Sequence, residues 1–117
     1  MTRTDASTHL PLTPIVLHIL LALAEGERHG YAIAQEIEAA TAGQVRAGPG
    51  TMYGSIQRML TSNLIEEAAA HATDDERRRY YRMTALGRRV LELELQRLVD
   101  VVSIARDKRL LPKPRTV

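Results

Sequence analysis

The stretch that most constrains this chain is GPGTMYGSIQRMLTSNLI, residues 48–65. Pro49 is pre-organised for a first helical turn, and Gly48 before it can act as the cap. Met52, Ile56, Met59 and Leu60 then recur at helical spacing and predict one buried stripe. The opposite face carries Thr51, Gly54, Gln57, Arg58 and Thr61, small or polar side chains with a single cation and no acid. A helix face that only meets water normally carries several Glu and Lys, so this one is unusual.

At 117 residues the chain is one domain with a modest core. It has no cysteine, which excludes disulfides and thiolate zinc sites and suits a reducing compartment. No apolar run approaches a membrane span, and the N-terminal residues lack the apolar segment of a secretory signal. A cytoplasmic location is therefore expected. The net charge of +2 hides an asymmetry: residues 1–76 hold 4 Arg against 10 acids, whereas residues 77–117 hold 12 cations against 4 acids. That split points to an anionic partner for part of the second half. Fourteen of the sixteen cations are Arg, whose planar fork suits phosphate and guanine better than an ammonium does.

In chain order, residues 1–11 show no periodicity and read as a flexible arm. Thr13-Pro14 opens a helix over residues 14–25, apolar nearly all round and so buried on more than one side. His18 in it is read as a histidine satisfied at an interface. Gly26 ends that helix in a left-handed cap, and Gly43 ends a second one over residues 29–41, with Ile33 and Ile37 inward and Glu36 and Glu38 off that face. A short link, residues 44–47, leads from this second helix into the one that begins at Gly48, and two helices so joined, the latter with a polar outer face, make a helix-turn-helix pattern. Asn63 stands where the third helix must stop. Residues 64–69 and 77–83 then form a hairpin around the polar turn 71–76, with Tyr81 and Met83 inward and Tyr80 exposed. A hairpin after a helix-turn-helix is a wing.

Thr84 caps a long helix, residues 84–109, in which Leu91, Leu95, Leu98, Val102 and Ala105 follow the 4-3-4-3 spacing of a coiled-coil seam. Val90, Leu93 and Val101 add a second apolar edge. One edge serves the home domain and the other needs a partner, so a homodimer is expected, with Leu17 and Leu20 of the first helix assigned to the same interface. Residues 110–117 read as a frayed tail. The fold class is mainly α with a β-hairpin: a winged helix-turn-helix over residues 12–83 plus a long C-terminal dimerisation helix.

Five pieces occur in order: LTPIVLHILLAL, HGYAIAQEI, GPGTMYGSIQRML, a short NLIEE strand, and RRRYYRMTALGRRVLE. Together they resemble the PadR family of bacterial transcriptional regulators across roughly residues 12–105, in the branch with a single C-terminal helix. There are departures: Gly54 where many members have proline, Asn63 where most have glycine, and Gly48 at a place often held by serine. The resemblance implies that the third helix enters a major groove of operator DNA, and that Tyr53 corresponds to the family's DNA-contacting tyrosine, bonding a phosphate. Thr51 can donate to a phosphate or a base, and Gly54 permits close backbone approach. Gln57 and Arg58 are long enough to read a base. Arg58 has a second role open to it, a salt bridge to Glu36 or Glu38. Tyr31 and His29 are expected near the backbone, Tyr31 having an alternative as a core tyrosine. Arg77, Arg78 and Arg79 put the flank of the wing against phosphate, since Asp74, Asp75 and Glu76 at the turn are repelled by DNA.

The resemblance further implies a repressor that binds an inverted-repeat operator and is released by a small-molecule effector. With no Trp or Phe and four Tyr, an aromatic-stacking pocket for that effector is not expected; an aliphatic cavity, or no ligand, is left open. A competing reading is a winged-helix protein-interaction module that has lost DNA binding. The four histidines show no ligand spacing and no catalytic constellation stands out, so neither an enzyme nor a metal or other cofactor is expected.

Overall fold

The computed structural model describes residues 5–69 and 79–112. In order, these are a 3-10 turn, Ala6–His9, then α1 (Pro14–Ala22), β1 (Arg28–His29), α2 (Gly30–Ala40), α3 (Pro49–Thr61), β2 (Ile65–Ala68), β3 (Tyr80–Met83) and α4 (Ala85–Asp107). The strands form one antiparallel sheet in the order β1-β3-β2, with Ile65 opposite Met83 and Arg28 opposite Tyr81. The wing therefore has a third strand that two-residue β1 was too short to announce. Ile19, Leu20, Ile33, Met59, Ile65 and Val90 lie at the centre of the core, each burial contributing about 1.5–3 kcal/mol.

The helix ends follow from their capping residues. The Thr13 side chain accepts from Val16 N–H at the start of α1. That helix stops at Ala22 with Leu23 as its C-cap, short of Gly26, where the sequence places its end, and two arginines bond carbonyls at and just beyond the stop. Arg28 Nε donates to Ala22 O at 2.8 Å and Arg88 Nη2 to Ala24 O at 3.2 Å, placing cations at the negative end of the helix. At the end of α3, Asn63 adopts the left-handed φ of 67°. Leu64 N–H reaches back to Met59 O and Asn63 N–H to Leu60 O, a Schellman ending whose Leu64 and Met59 are both buried in the core.

This ending fixes how α4 crosses the domain. Thr84 Oγ1 donates to Asn63 O at 2.6 Å and accepts from Gly87 N–H at 2.9 Å. One turn of α4 is thereby pressed onto the Leu64 carbonyl. A Cβ on Gly87 would lie 2.0 Å from that oxygen, so position 87 admits only glycine without displacement of the backbone.

The sequence predicts a flexible arm over residues 1–11, but from Asp5 onward the chain is tied down. The Asp5 carboxylate caps the Ala6–His9 turn through Ser7 N–H, which holds that carboxyl below its ordinary range. The turn packs on α4, and Ala6 and Leu10 lie against the core. Behind it, Glu94 is buried on α4, accepting from Leu12 N–H at 2.7 Å and from Arg97 Nε at 2.5 Å. Arg97 and the Leu12 amide keep the Glu94 carboxyl below the usual carboxylate range despite its burial.

All buried residues of α4 fall between Gly87 and Glu94. Leu91 accordingly belongs to the home core, and the seam emerges only at Leu95. Beyond it Val99 is 59% exposed and Ile104 57%, and Val101 is exposed as well. Leu20, expected at an interface, is 0% exposed and is part of the protomer's own core, because the α1 surface that carries it is covered within the domain. Leu17 is partly buried against that core.

Candidate nucleic-acid interface

Recognition-type chemistry concentrates on α3 and the ends of the elements around it. Four α3 residues are buried, Met52, Ser55, Ile56 and Met59. At about 100° per residue, the direction opposite their mean falls among Gly50, Gly54, Gln57 and Thr61. Those four form the outward centre of the helix, and Gln57 is the long side chain among them. Gln57 and Thr61 are exposed. Tyr53 lies about 70° to one side of that centre, and Arg58 about 70° to the other with Thr51 beyond it. The acid-free character of the face survives in three dimensions.

On the Tyr53 side, α3 borders a groove of about 610 Å³ whose walls include His29, Tyr31, Tyr53 and Arg79, with Met52, Ile56 and Tyr81 at its base. Tyr31 and Tyr53 are 69% and 63% exposed; Tyr31 is thus a surface residue and not a core tyrosine. His29 is positioned by its own helix, since its Nδ1 accepts Ala32 N–H at 3.2 Å as the N-cap of α2, leaving the ring proton on Nε2. Its ring stacks parallel to Tyr31, centroids 6.5 Å apart, and meets Tyr80 edge-on at 5.4 Å. Tyr80 is therefore half-buried, where the sequence alternation predicted exposure: β1 pairs with β3 and brings His29 over it. Tyr81 is buried as expected, and burial pushes its hydroxyl pKa up.

Arg79 carries its charge into this groove while bonded to Glu67 on β2 at 2.8 Å. Arg82 pairs with Glu66 in the same way at 2.8 Å. Both acids raise the pKa of their arginines. Part of the cationic excess of the second half is thus matched within the sheet. Arg77, Arg78 and the acidic turn at residues 74–76 lie outside the described residues.

On the other side, Arg58 does not reach Glu36 or Glu38. Its guanidinium folds back one turn, donates from Nη2 to Ser55 Oγ at 3.3 Å, and lies 3.5 Å from where a Cβ on Gly54 would stand. It borders a cleft of about 180 Å³ together with His9, Thr13 and Ser62. Ser55 is wholly buried, and the sequence pattern missed it because a serine between Gly54 and Ile56 carries no hydrophobic signal. Glu94 was missed likewise, an acid within an apolar seam. No group of three His, Asp or Glu among the described residues could hold a metal ion, and no helix among them is long and apolar enough to cross a membrane.

The architecture and these sequence pieces have known counterparts. Residues 19–93 match the family model of the "Transcriptional regulator PadR-like family". The chain is 32% identical over 93 residues to an uncharacterized protein X of Lysinibacillus sphaericus, covering 80% of this chain and 83% of that one. Its fold is similar to a PadR family transcription regulator from Clostridium difficile R20291, with TM-score 0.68, 26% identity, and coverage of 81% of this chain and 97% of that one. It is also similar to Bacillus subtilis PadR in complex with operator DNA, with TM-score 0.63, 20% identity, and coverage of 90% and 52%. With a helix-turn-helix, a three-stranded wing and a long C-terminal helix, the chain belongs to the PadR-like family of transcriptional regulators.

Proposed function

We propose that the protein binds operator DNA as a homodimer and represses transcription from it. The observation that carries this reading is the acid-free outward face of α3, with Gln57 and Thr61 at its centre and Tyr53 beside a groove that also holds Tyr31 and Arg79. In the reading, the N-terminal half of α3 enters the major groove, and its unbonded N–H groups and positive dipole end favour phosphate. Gln57 reads a base edge. Tyr31, Tyr53 and Arg79, with Arg77 and Arg78 from the wing, bond phosphates of one strand. His29 supports this set chiefly by capping α2 and stacking on Tyr31.

The exposed apolar side chains of α4 support dimerisation. Val99, Val101 and Ile104 are more than half exposed and Leu95 is 39% exposed, and Leu98, Val102 and Ala105 continue the stripe. A two-fold dimer presents two α3 helices and so calls for an inverted repeat with half-sites about one helical turn apart. A small molecule that lowers the affinity of the dimer for its operator would lift the repression.

The test is fluorescence anisotropy of a labelled random duplex titrated with protein over a series of NaCl concentrations. Binding that falls steeply with salt supports the DNA reading, since counterions are released when Arg meets phosphate. Absent or salt-independent binding overturns it in favour of a winged-helix module that engages proteins.

A further inference from the structure

We infer that Arg58 is a phosphate clamp and not a base reader, holding a phosphodiester oxygen on the DNA strand opposite the one met by Tyr53; this rests on the DNA-binding reading above. A helix of about 10–12 Å diameter nearly fills a major groove about 12 Å wide. Residues at the outward centre then meet base edges, while residues on the two flanks meet the two sugar-phosphate backbones. Tyr53 and Arg58 stand about 70° to either side of that centre, so they face opposite strands. The central positions are taken by Gly50, Gly54, Gln57 and Thr61, of which only Gln57 is long.

Arg58 is also held for this role. Its guanidinium is turned back along the flank and fixed by the hydroxyl of buried Ser55 at 3.3 Å. No carboxylate among the described residues pairs with it, whereas Arg79, Arg82 and Arg97 each have one. One of its N–H groups is used by Ser55, and the fork retains four more for an incoming oxygen. The adjoining cleft of about 180 Å³ has the Thr13 hydroxyl on its far wall and no acid among its described lining. The Thr13 oxygen accepts Val16 N–H at 3.4 Å, and its hydroxyl donates to no acceptor among the described residues. The guanidinium thus lies along the flank between buried Ser55, which Nη2 bonds, and central Gly54, which Nη1 borders.

The experiment compares wild type with Arg58→Ala, Arg58→Lys and Gln57→Ala on two duplexes, one enriched by the protein from a random-sequence pool and one with that sequence shuffled. Affinities are measured by anisotropy across a NaCl series. For Arg58→Ala the expected result is an equal loss on both duplexes, on the order of tenfold, with the salt exponent lowered by about one. Arg58→Lys should regain most of the loss, because an ammonium serves a phosphate as a point charge but cannot reproduce a bidentate guanine contact. Gln57→Ala should instead shrink the ratio between the two duplexes. The inference is overturned if Arg58→Ala lowers that ratio tenfold, if Arg58→Lys is as weak as Arg58→Ala, or if neither variant changes affinity. A wild type that binds neither duplex defeats the DNA reading itself, a result recognised before any variant is made. Circular dichroism melts check folding, which this exposed side chain should leave unchanged.

Discussion

Replacing Gly54 by alanine separates stability from function in a single methyl group. Gly54 lies in the middle of α3, and its φ is not among the positive values of the chain. The added Cβ would have one neighbour within 4 Å, Arg58 Nη1 at 3.5 Å, an ordinary van der Waals contact. Nothing inside the protomer therefore requires glycine there, and glycine costs a helix interior about 0.8–1.0 kcal/mol relative to alanine. Gly54→Ala should stabilise the protein by up to that amount and raise its thermal midpoint by several degrees. On DNA the methyl group stands at the outward centre of α3, between the helix backbone and the base edges. Affinity for the enriched duplex should fall about tenfold, equivalent to about 1.4 kcal/mol. Calorimetry or a dichroism melt reads the first effect and anisotropy the second. A lower melting point would refute the claim that position 54 is free of internal demands. Raised stability with unchanged affinity would refute the close approach of DNA to this turn.

Other perturbations probe the remaining contacts. Gly87→Ala should do the opposite to Gly54→Ala: its Cβ meets the Leu64 carbonyl at 2.0 Å, and such overpacking costs about 1–3 kcal/mol or more, read as a lower denaturant midpoint. Glu94→Gln should cost on the order of 1 kcal/mol at neutral pH, because charge-assisted bonds are about twice as strong as neutral ones and Arg97 is partly screened by solvent. Since the folded Glu94 pKa is lowered, its contribution is present above the unfolded value of about 4.3 and is lost as pH falls through the folded one. Acid melts of Glu94→Gln should therefore fall less steeply below pH about 4 than those of wild type. Val99→Asp with Ile104→Asp should dissociate the proposed dimer in sedimentation experiments while leaving the helix content intact, because both side chains are exposed in the protomer. Tyr53→Phe should weaken binding equally on enriched and shuffled duplexes.

Much of this was legible in the chain. Periodicity placed α1 through α4, and local chemistry placed several of their ends: Thr13, Gly48, Asn63 and Thr84 all cap where their side chains or backbone preferences predict, whereas α1 stops at Ala22 and not at Gly26. These signals act within a few residues, so sequence alone carries them. The inward side of β3 was readable too, since Tyr81 and Met83 alternate with polar neighbours.

What the local pattern does not contain is any pairing between distant segments. The third strand depends on Arg28 and His29 meeting Tyr81 and Tyr80, some fifty residues away, and only that meeting buries Tyr80 partly and stacks the groove wall. Nothing in the local pattern marks Glu94 for burial, which depends on the amide of distant Leu12 as well as on Arg97 one turn along α4. Leu20 carried the same apolar signal whether it faced the core or a second copy, and burial alone chose the core. The direction of the Arg58 side chain is not given by helical spacing either; it follows a hydrogen bond to Ser55, one turn back on the same helix and buried by the fold. Residue type and spacing thus determined the elements and the candidate reading face of this protein. Tertiary contact decided which side chains on that face are buried, paired or exposed, because a side chain's partners are set by whatever the fold brings within a few ångströms of it.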